Sequence, residues 1–569
     1  MADVIINNFQ RGISNNISSN FIEMRNADLY SKPGVLKISN ELKISSQPRV
    51  AGLTFTADAA TDELTFATPH TLNEGSAITV SSTGALPNPL AAATIYFVIF
   101  VDTTHIKLAT TLANAIAGTA IDLTNAGAGT HTLVTVNIKQ TKHFTIDPRT
   151  STIYTVDTDG RVWRSSNGSW QLITGNTLTN SSANGICVWK NFLFVFRNAF
   201  VDVWGDLTAA LGARTWQNSW QALVSAAGSA NSHHAMWSLS DDILYWVDDR
   251  YVGSLQEVTT FDPTAAGTYT FTQQALDLPQ NAVGQKIEEL GGNLMILATL
   301  GSNNYSALFP WDRISTTFYL PIKLYTVIDQ MIAHNNLLYL LDLEAHKIWV
   351  TNGSSVVEKK EIPEIIVPNF IGSTIGAVMI HQGRLFFTIS ATSNYSAIYS
   401  LDLESNVLVL EQKISPDTYT TDTNLYYISS LVSQSGQYYV GWFYNNDQYG
   451  GIDSITGRLS STTRYDNFDT YFETALLQVG TTLEKRTFEQ VDVYFASPLG
   501  SGEGIKIYYR GDNTSSYTLL TTIDSSTFGQ ITSVQVPFGF TTDHIQIKCE
   551  LDSASDSASS PQLLEIRLR

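Results

Sequence analysis

The chain of 569 residues is several times the length of a usual domain, so we expect three or more hydrophobic cores. Hydrophobic residues make up 43% and charged residues only 15%, which is typical of well-packed β-structure and excludes a disordered chain. The 33 Lys and Arg against 52 Asp and Glu give a net charge of −19, which argues against gripping nucleic acid through the outer surface and favours solubility.

The cysteines and the start of the chain bear on where the protein is made. Cys187 and Cys549 lie far apart, which excludes a disulfide framework and indicates that packing holds the fold. The opening MADVIINNFQRG lacks the basic and apolar regions of a secretory signal, and no apolar run approaches the roughly 20 residues that span a membrane. We therefore expect a protein made in a cytoplasm, with no membrane insertion.

Short alternating runs broken by Gly, Asn, Asp and Ser occur throughout, which predicts an all-β protein. Residues 1–50 form an N-terminal arm and entry strand, too short to hold a core of their own. Within the arm, Pro33-Gly34 predicts a turn and residues 35–38 predict a strand that pairs with a distant partner. Because a strand without its own core gains most by joining another sheet, we expect the arm to reach a neighbouring subunit.

Residues 51–135 are richer in Ala and Thr than their surroundings and predict a small inserted β domain. The apolar run 94–101 combines β-branched and aromatic residues between two turns, which predicts a buried strand. The change in composition on both sides separates this domain from the arm and from the repeats that follow.

Residues 136–463 contain a repeated unit of an aromatic strand, an Asp-led turn and a second strand. The clearest copies begin at 153 (IYTVDTDGRVWRSSNGS), 244 (LYWVDDRYVGSL) and 338 (LYLLDLEAHKIWVTNGS), and weaker copies lie at 194–204, 294–311, 385–402 and 438–453. The units recur roughly every 45 to 50 residues, the spacing of a four-stranded propeller blade. These copies predict a β-propeller of seven blades, with six as a close alternative and a stacked β-solenoid as the rival interpretation.

Residues 464–569 contain alternating strands separated by turns, the pattern of a β-sandwich. The strand at 564–568 would complete it. The predicted fold class is therefore all-β, with a six- or seven-bladed propeller, an inserted small β domain and a C-terminal β-sandwich.

Two motifs suggest metal ligands and are better explained otherwise. Asp157-Thr158-Asp159-Gly160 resembles the start of a calcium loop, but no third oxygen ligand or closing acid follows, and Asp-Gly is a preferred pair for a tight hairpin turn. His233-His234 would point to opposite faces of a strand and could not chelate one ion. We predict no metal and no cofactor.

The sequence also contains no recognisable group of catalytic residues. Asp241-Asp242 and Asp248-Asp249 bracket the strand 243–247 and are interpreted as turn residues rather than a glycosidase pair. The stretch 165–170 resembles the Asp-box turn of sialidase propellers, but a sialidase needs an arginine cluster, and no grouping of arginines on neighbouring blades is evident. Without a nucleophile elbow or a phosphate-binding loop, we predict that the protein is not an enzyme.

Most tryptophans lie within strands at equivalent blade positions, which indicates packing between blades. Trp216 and Trp220 are the exceptions, because they lie in the loop-like stretch ARTWQNSWQAL. They are the candidate residues for contact with a glycan.

The stretch from Phe66 to Leu133 resembles a small β domain that recurs in bacteriophage tail and fibre proteins. The residues that carry the resemblance are Gly84-Ala85-Leu86-Pro87, Tyr96 to Val101, Leu108-Ala109-Thr110, Gly118 to Leu123 and Gly127 to Thr132. The arm is also similar to the entry arms of phage tail proteins, including the propeller-bearing nozzle proteins of short-tailed phages, at Gly12-Ile13-Ser14, Asn26-Ala27-Asp28 and Lys32 to Leu36.

The resemblance implies a structural component of a bacteriophage virion, a tail or nozzle protein that forms a homo-oligomeric ring with other virion structural proteins. DNA would leave through the ring without sequence-specific binding, since an acidic lumen repels the DNA backbone. The alternative is a host-recognition protein that binds cell-surface glycans, with Trp216 and Trp220 as contacts. A glycan-cleaving enzyme is the third hypothesis, and it lacks a candidate site.

Overall fold

A computed structural model gives the architecture. It describes residues 3–7, 9, 21–25, 27–29, 32, 34–40, 42–46, 50–166, 169–173, 183–197, 199–224, 233–301, 305–362, 370–372, 377–391, 397–413, 426–444, 449–455, 470–481, 483–511, 516–554 and 559–569. The arm contributes short strands, which are β1 (Val4–Ile6), β2 (Phe21–Arg25), β3 (Ala27–Asp28), β4 (Lys37–Ile38) and β5 (Lys43–Ile44).

The inserted domain is a closed barrel with the strand order β10-β7-β6-β11-β8-β9. Its elements are β6 (Ala51–Asp58), β7 (Glu63–Phe66), β8 (Ala77–Ser82), β9 (Ile95–Phe100), β10 (His105–Ala109), the helix α1 (Leu112–Ile116) and β11 (His131–Thr135). Inward-facing apolar residues fill the barrel, among them Leu64, Ile78, Val98, Ile106 and Leu133, all completely buried. Residues 95–100 of the run 94–101 form β9, and residues 96–99 are buried, so the predicted buried strand is confirmed there, whereas Phe100 and Val101 are exposed.

The described part of the next section, together with β5 of the arm, forms seven antiparallel four-stranded blades of a propeller; six are separate sheets, and blade 6 is part of a larger sheet. Blade 1 consists of β12 (Thr141–Ile146), β13 (Ile153–Asp157), β14 (Val162–Ser166) and β15 (Ser169–Leu172), and blade 2 of β16 (Ala183–Trp189), β17 (Phe192–Arg197), β18 (Phe200–Gly205) and β19 (Thr215–Ala222). Blade 3 consists of β20 (Ala235–Ser238), β21 (Ile243–Asp248), β22 (Tyr251–Glu257) and β23 (Tyr269–Asp277). Blade 4 consists of β24 (Ala282–Leu290), β25 (Asn293–Leu300), β26 (Tyr305–Trp311) and β27 (Ile322–Lys323).

Blades 5 to 7 complete the ring. Blade 5 consists of β28 (Gln330–His334), β29 (Leu337–Asp342), β30 (Lys347–Thr351) and β31 (Val356–Glu361). After the short strand β32 (Phe370–Gly372), blade 6 consists of β33 (Val378–His381), β34 (Arg384–Ala391), β35 (Ala397–Asp402) and β36 (Leu408–Lys413). Blade 7 consists of β37 (Tyr426–Gln434), β38 (Gln437–Tyr444), β39 (Tyr449–Ser454) and β5. The first strand of each blade contacts the first strand of the next, and β37 contacts β12, which closes the circle.

Buried aspartates explain the Asp-led turns of the repeat. The Asp157 carboxylate accepts a hydrogen bond from the Arg161 amide at 3.0 Å, and the Asp342 carboxylate accepts one from the Ala345 amide at 2.9 Å. Each aspartate ends the second strand of its blade and satisfies a backbone donor of the turn. Gly160 has a φ of 73°, so the predicted hairpin turn at 157–160 is confirmed.

The C-terminal section is a sandwich of two sheets. Its elements are β40 (Tyr471–Thr474), β41 (Leu477–Gln478), β42 (Arg486–Phe495), β43 (Gly504–Gly511), β44 (Thr518–Asp524), the short helix α2 (Ser525–Phe528), β45 (Ser533–Thr542), β46 (His544–Asp552) and β47 (Leu563–Leu568). One sheet has the order β1-β47-β42-β45, and the other contains β2-β40-β46-β43-β44. Apolar residues between the sheets, such as Phe472, Val493 and Ile547, form their common core.

The described strands of the arm pair within their own chain, and the expectation that the arm reaches a neighbouring subunit stays a prediction. β1 pairs with β47, and β5 pairs with β39 to complete blade 7. β2 pairs antiparallel with β40 and parallel with β36, which joins blade 6 and the sandwich in one continuous sheet.

Candidate functional site

A polar pocket of about 310 Å³ lies between blade 1 and blade 7. Blade 1 contributes the turn between β12 and β13 together with the strands β14 and β15, and blade 7 contributes β38 and the residue that follows β5. The residues that line the pocket are Ser45, Thr150, Ser151, Thr152, Arg164, Ser165, Ser166, Ser169, Trp170 and Tyr439.

Several hydroxyl groups of the pocket are held in place by hydrogen bonds. Thr150 Oγ1 donates to Asp147 Oδ2 at 2.9 Å, and Ser165 Oγ accepts a hydrogen bond from the Ile153 amide at 2.8 Å. Ser169 Oγ donates to the Ser166 carbonyl at 2.9 Å across the turn between β14 and β15. The polar wall of the pocket is therefore a fixed surface.

Arg164 provides the only full charge among the residues that line this pocket. Its Nε and Nη2 donate to Gln171 Oε1 at 3.1 and 2.8 Å, and no carboxylate of a described residue pairs with it. Gln171 Nε2 in turn donates to the Glu74 carbonyl of the inserted barrel at 3.3 Å. Burial lowers the pKa of Arg164, and the positive charge of Arg214 lowers it as well.

Two aromatic rings form the apolar side of the pocket. Trp170 is buried and its ring meets that of Tyr439 edge-on, with 5.9 Å between the centroids. The Trp170 Nε1 donates to Ser45 Oγ at 3.2 Å, which ties blade 1 to the residue after β5. The pocket thus combines a cation, hydroxyl groups and the half-buried ring of Tyr439.

The structure also brings together arginines that the sequence did not group. Arg164 of blade 1 and Arg214 of blade 2 both interact electrostatically with the hydroxyl of Tyr154. Tyr154 is only 1% exposed, and burial raises the pKa of its hydroxyl. A buried, protonated phenol is not placed to attack a substrate, so this cluster does not reproduce sialidase chemistry.

Trp216 and Trp220 lie on the outermost strand of blade 2, β19, so the prediction that they occupy a loop is wrong. The Trp216 ring stacks on Trp204 with 5.8 Å between centroids, and its Nε1 donates to the Ile173 carbonyl at 3.4 Å. The Trp220 Nε1 donates to the Pro263 carbonyl at 2.8 Å, and its ring contacts four aromatic side chains, Phe194, Phe261, Tyr269 and Phe271. Both rings pack between strands instead of facing an open groove.

The paired histidines lie in different surroundings. His233 Nε2 is 3.3 Å from Asp248 Oδ1, whereas the ring of His234 lies against that of His143 with 5.4 Å between centroids. The residues with described positions contain no group of three or more His, Cys, Asp and Glu side chains that could hold a metal ion. Asp242 and Asp249 have φ values of 63° and 57°, as expected for turn residues.

The fold and the pocket define an all-β protein built on a β-propeller. Neither a family model nor a curated protein sequence matches the chain. In the described residues, no helix is long and apolar enough to cross a membrane.

Several solved propeller structures are similar at low identity. The computationally designed Ika8 protein covers 59% of this chain and 93% of its own, with 10% identity and a TM-score of 0.33. YCF48 bound to a D1 peptide covers 56% and 94%, with 10% identity and a TM-score of 0.38. An exo-β-1,3-galactanase from Phanerochaete chrysosporium covers 69% and 97%, with 13% identity and a TM-score of 0.27. At these TM-scores the likenesses carry no argument about function.

Proposed function

We propose that the chain is a structural component of a bacteriophage tail, whose copies pack in a ring around the path by which DNA leaves the particle. The resemblance of residues 66–133 to a small β domain of tail and fibre proteins supports the phage context. The net charge of −19 suits a surface past which DNA slides, because like charges repel. The observation that carries a packing role is an apolar surface on blade 4.

This surface, the blade 4 rim, consists of Ile314, Leu320 and Tyr325. Their exposed fractions are 90%, 88% and 83%, and all three belong to the segment that flanks β27 at the outer edge of the blade. Exposed large apolar side chains that follow one another in a short segment are candidates for contact with another protein. The rim therefore supports contact with another protein subunit.

Hydrogen bonds hold the start of the rim in one conformation. Arg313 Nη1 lies 3.0 Å from Asp241 Oδ2, and Arg313 Nη2 lies 3.0 Å from Glu289 Oε1. The Asp312 carboxylate accepts hydrogen bonds from the Ile314 and Ser315 amides at 3.0 and 2.7 Å. Because a preorganised surface loses little conformational entropy on binding, this arrangement suits a permanent contact.

The alternative function, recognition of a host glycan through Trp216 and Trp220, has less support. Stacking on a sugar needs an exposed ring face, and these rings are only partly exposed because they pack against Trp204, Phe261 and Tyr269. Replacing either ring by alanine would disturb blade 2 before it disturbed a ligand.

The test is to replace the rim with serine as a triple variant, Ile314→Ser, Leu320→Ser and Tyr325→Ser. The matched control replaces exposed apolar residues elsewhere, Val357, Leu483 and Leu519, whose exposed fractions are 55%, 94% and 50%. We expect the rim variant to lose self-association in sedimentation and incorporation into particles, and the control to assemble like the unaltered chain. Normal incorporation of the rim variant would contradict the proposed packing role.

A further inference from the structure

The guanidinium of Arg164 has hydrogen-bonding capacity that the protein does not use. A guanidinium carries N–H groups on each nitrogen, and in Arg164 only Nε and Nη2 donate, both to Gln171 Oε1. Nη1 has no acceptor among the described residues. A partly buried cation without a counter-charge is costly, and this one lies in a chain whose net charge is −19. The pocket therefore presents a cation with which an anionic ligand can pair.

The other residues that line the pocket indicate which further chemical groups the anionic ligand carries. The hydroxyls of Thr152 and Ser166 can exchange hydrogen bonds with hydroxyls of a ligand, and the half-buried ring of Tyr439 offers aromatic surface. The volume of about 310 Å³ is at the small end of the roughly 300–1,000 Å³ of ligand pockets. A bare phosphate would satisfy the arginine but leave most of this space and most of these hydroxyls unused.

We propose that the pocket around Arg164 binds a carboxylate-bearing sugar such as a hexuronate. The carboxylate accepts charge-assisted hydrogen bonds from Arg164, the geometry for which guanidinium and carboxylate are matched. The sugar hydroxyls meet the Ser and Thr side chains, and an apolar ring face lies toward Tyr439. Gln171 is the positioning residue, since it bonds both to Arg164 and to the Glu74 carbonyl of the barrel.

This site is separate from the blade 4 rim, so the two proposals fail independently. The rim concerns residues of blade 4, whereas the pocket lies between blades 1 and 7. A chain that assembles normally could still lack ligand binding, and a chain that binds the sugar could still fail to assemble.

The test is calorimetric titration of the full chain with sodium glucuronate, glucose, sodium acetate and inorganic phosphate. We expect glucuronate to bind at least roughly tenfold more tightly than glucose or acetate, because only glucuronate uses both the arginine and the hydroxyls. Arg164→Gln should weaken glucuronate binding roughly tenfold or more. The control is Arg161→Gln on the same blade, since Arg161 Nη1 lies 3.0 Å from Asp159 Oδ2 at the opposite end of β14, and it should bind like the unaltered chain.

A second variant keeps the proposal testable if Arg164→Gln loosens the barrel. Ser166→Leu adds apolar volume to the pocket and leaves the Arg164 to Gln171 hydrogen bonds in place, so it should abolish binding without changing the melting temperature. Equal affinity for glucose and glucuronate, tighter binding of phosphate than of glucuronate, or unchanged binding in a folded Arg164→Gln or Ser166→Leu variant would each overturn the proposal.

Discussion

Phe21 on β2 offers the sharpest test of how the arm is built into the fold. It is completely buried, and its ring contacts those of Phe9 at 5.7 Å and Phe472 at 5.3 Å between centroids. Phe472 lies on β40, so the cluster fastens the arm to the sandwich. Replacing Phe21 by alanine removes the ring from this cluster and leaves a cavity next to the junction between blade 6 and the sandwich.

Replacing a fully buried Phe by Ala is expected to lower the free energy of unfolding by about 3–5 kcal/mol. A chain with several cores does not unfold in one step, so the midpoint of an unfolding curve for the whole chain would understate a loss of stability confined to one part of it. We expect the loss of stability to be confined to β2 and the strands that pair with it, β36 and β40. Their backbone amide hydrogens should exchange with solvent roughly a hundredfold faster or more.

Hydrogen exchange measured by mass spectrometry reports these strands separately from the barrel. The matched control is Phe100→Ala on β9, since Phe100 is 44% exposed and its truncation removes the same atoms with little cavity. The reasoning is refuted if β36 and β40 exchange no faster in Phe21→Ala than in Phe100→Ala.

Three further predictions follow from single residues. A Cβ on Gly185 would lie 1.8 Å from the His233 carbonyl oxygen, so Gly185→Ala should lower the melting temperature by several degrees, whereas Gly212→Ala, whose Cβ would lie 3.4 Å from Ala113, should leave it nearly unchanged. Burial raises the pKa of Asp329 from its usual 3.8 to about 6, so its contribution to stability is present at low pH and lost as the pH rises through about 6. Asp329→Asn should therefore gain urea resistance relative to the unaltered chain at neutral pH but not near pH 4, and an equal difference at both would refute this. Burial raises the pKa of Cys187 to about 12, so its thiol should resist alkylation in the folded protein and react after urea is added; rapid labelling without urea would contradict its burial.

The blades and the barrel could be predicted because each leaves a local pattern. The copies that begin at 153, 244 and 338 combine strand alternation with an aspartate that caps the following turn, and the structure uses that aspartate in this way at Asp157 and Asp342. The run 94–101 was recognisable as a buried strand because its apolar residues are continuous.

The roles of the arm strands could not be predicted, because strands of two or three residues have no periodicity. Lys43 pairs with Ser454 and Val4 pairs with Leu568, so their partners lie at the far end of the chain. The strand β19 was mistaken for a loop for a different reason. As the outermost strand of its blade it is largely polar, and Ser219 interrupts it with a φ of 51°.

The candidate pocket depends on contacts that no single segment of sequence contains. Arg164 becomes notable only when β14 is placed beside Ser45 and Tyr439 of blade 7, and when no carboxylate of the described residues faces it. The sequence signal that was available is the set of hydroxyl residues around it, at 150–152, 165, 166 and 169, of which only the stretch 165–170 was noticed, as a turn.

The proposed role in a bacteriophage tail is tested most directly by a reconstruction of the particle to which that proposal assigns the chain. We predict copies of the chain arranged in a ring around the DNA exit path, with Ile314, Leu320 and Tyr325 of the blade 4 rim buried between neighbouring subunits. Absence of the chain from the purified particle, or a particle in which the rim faces solvent, would contradict the account.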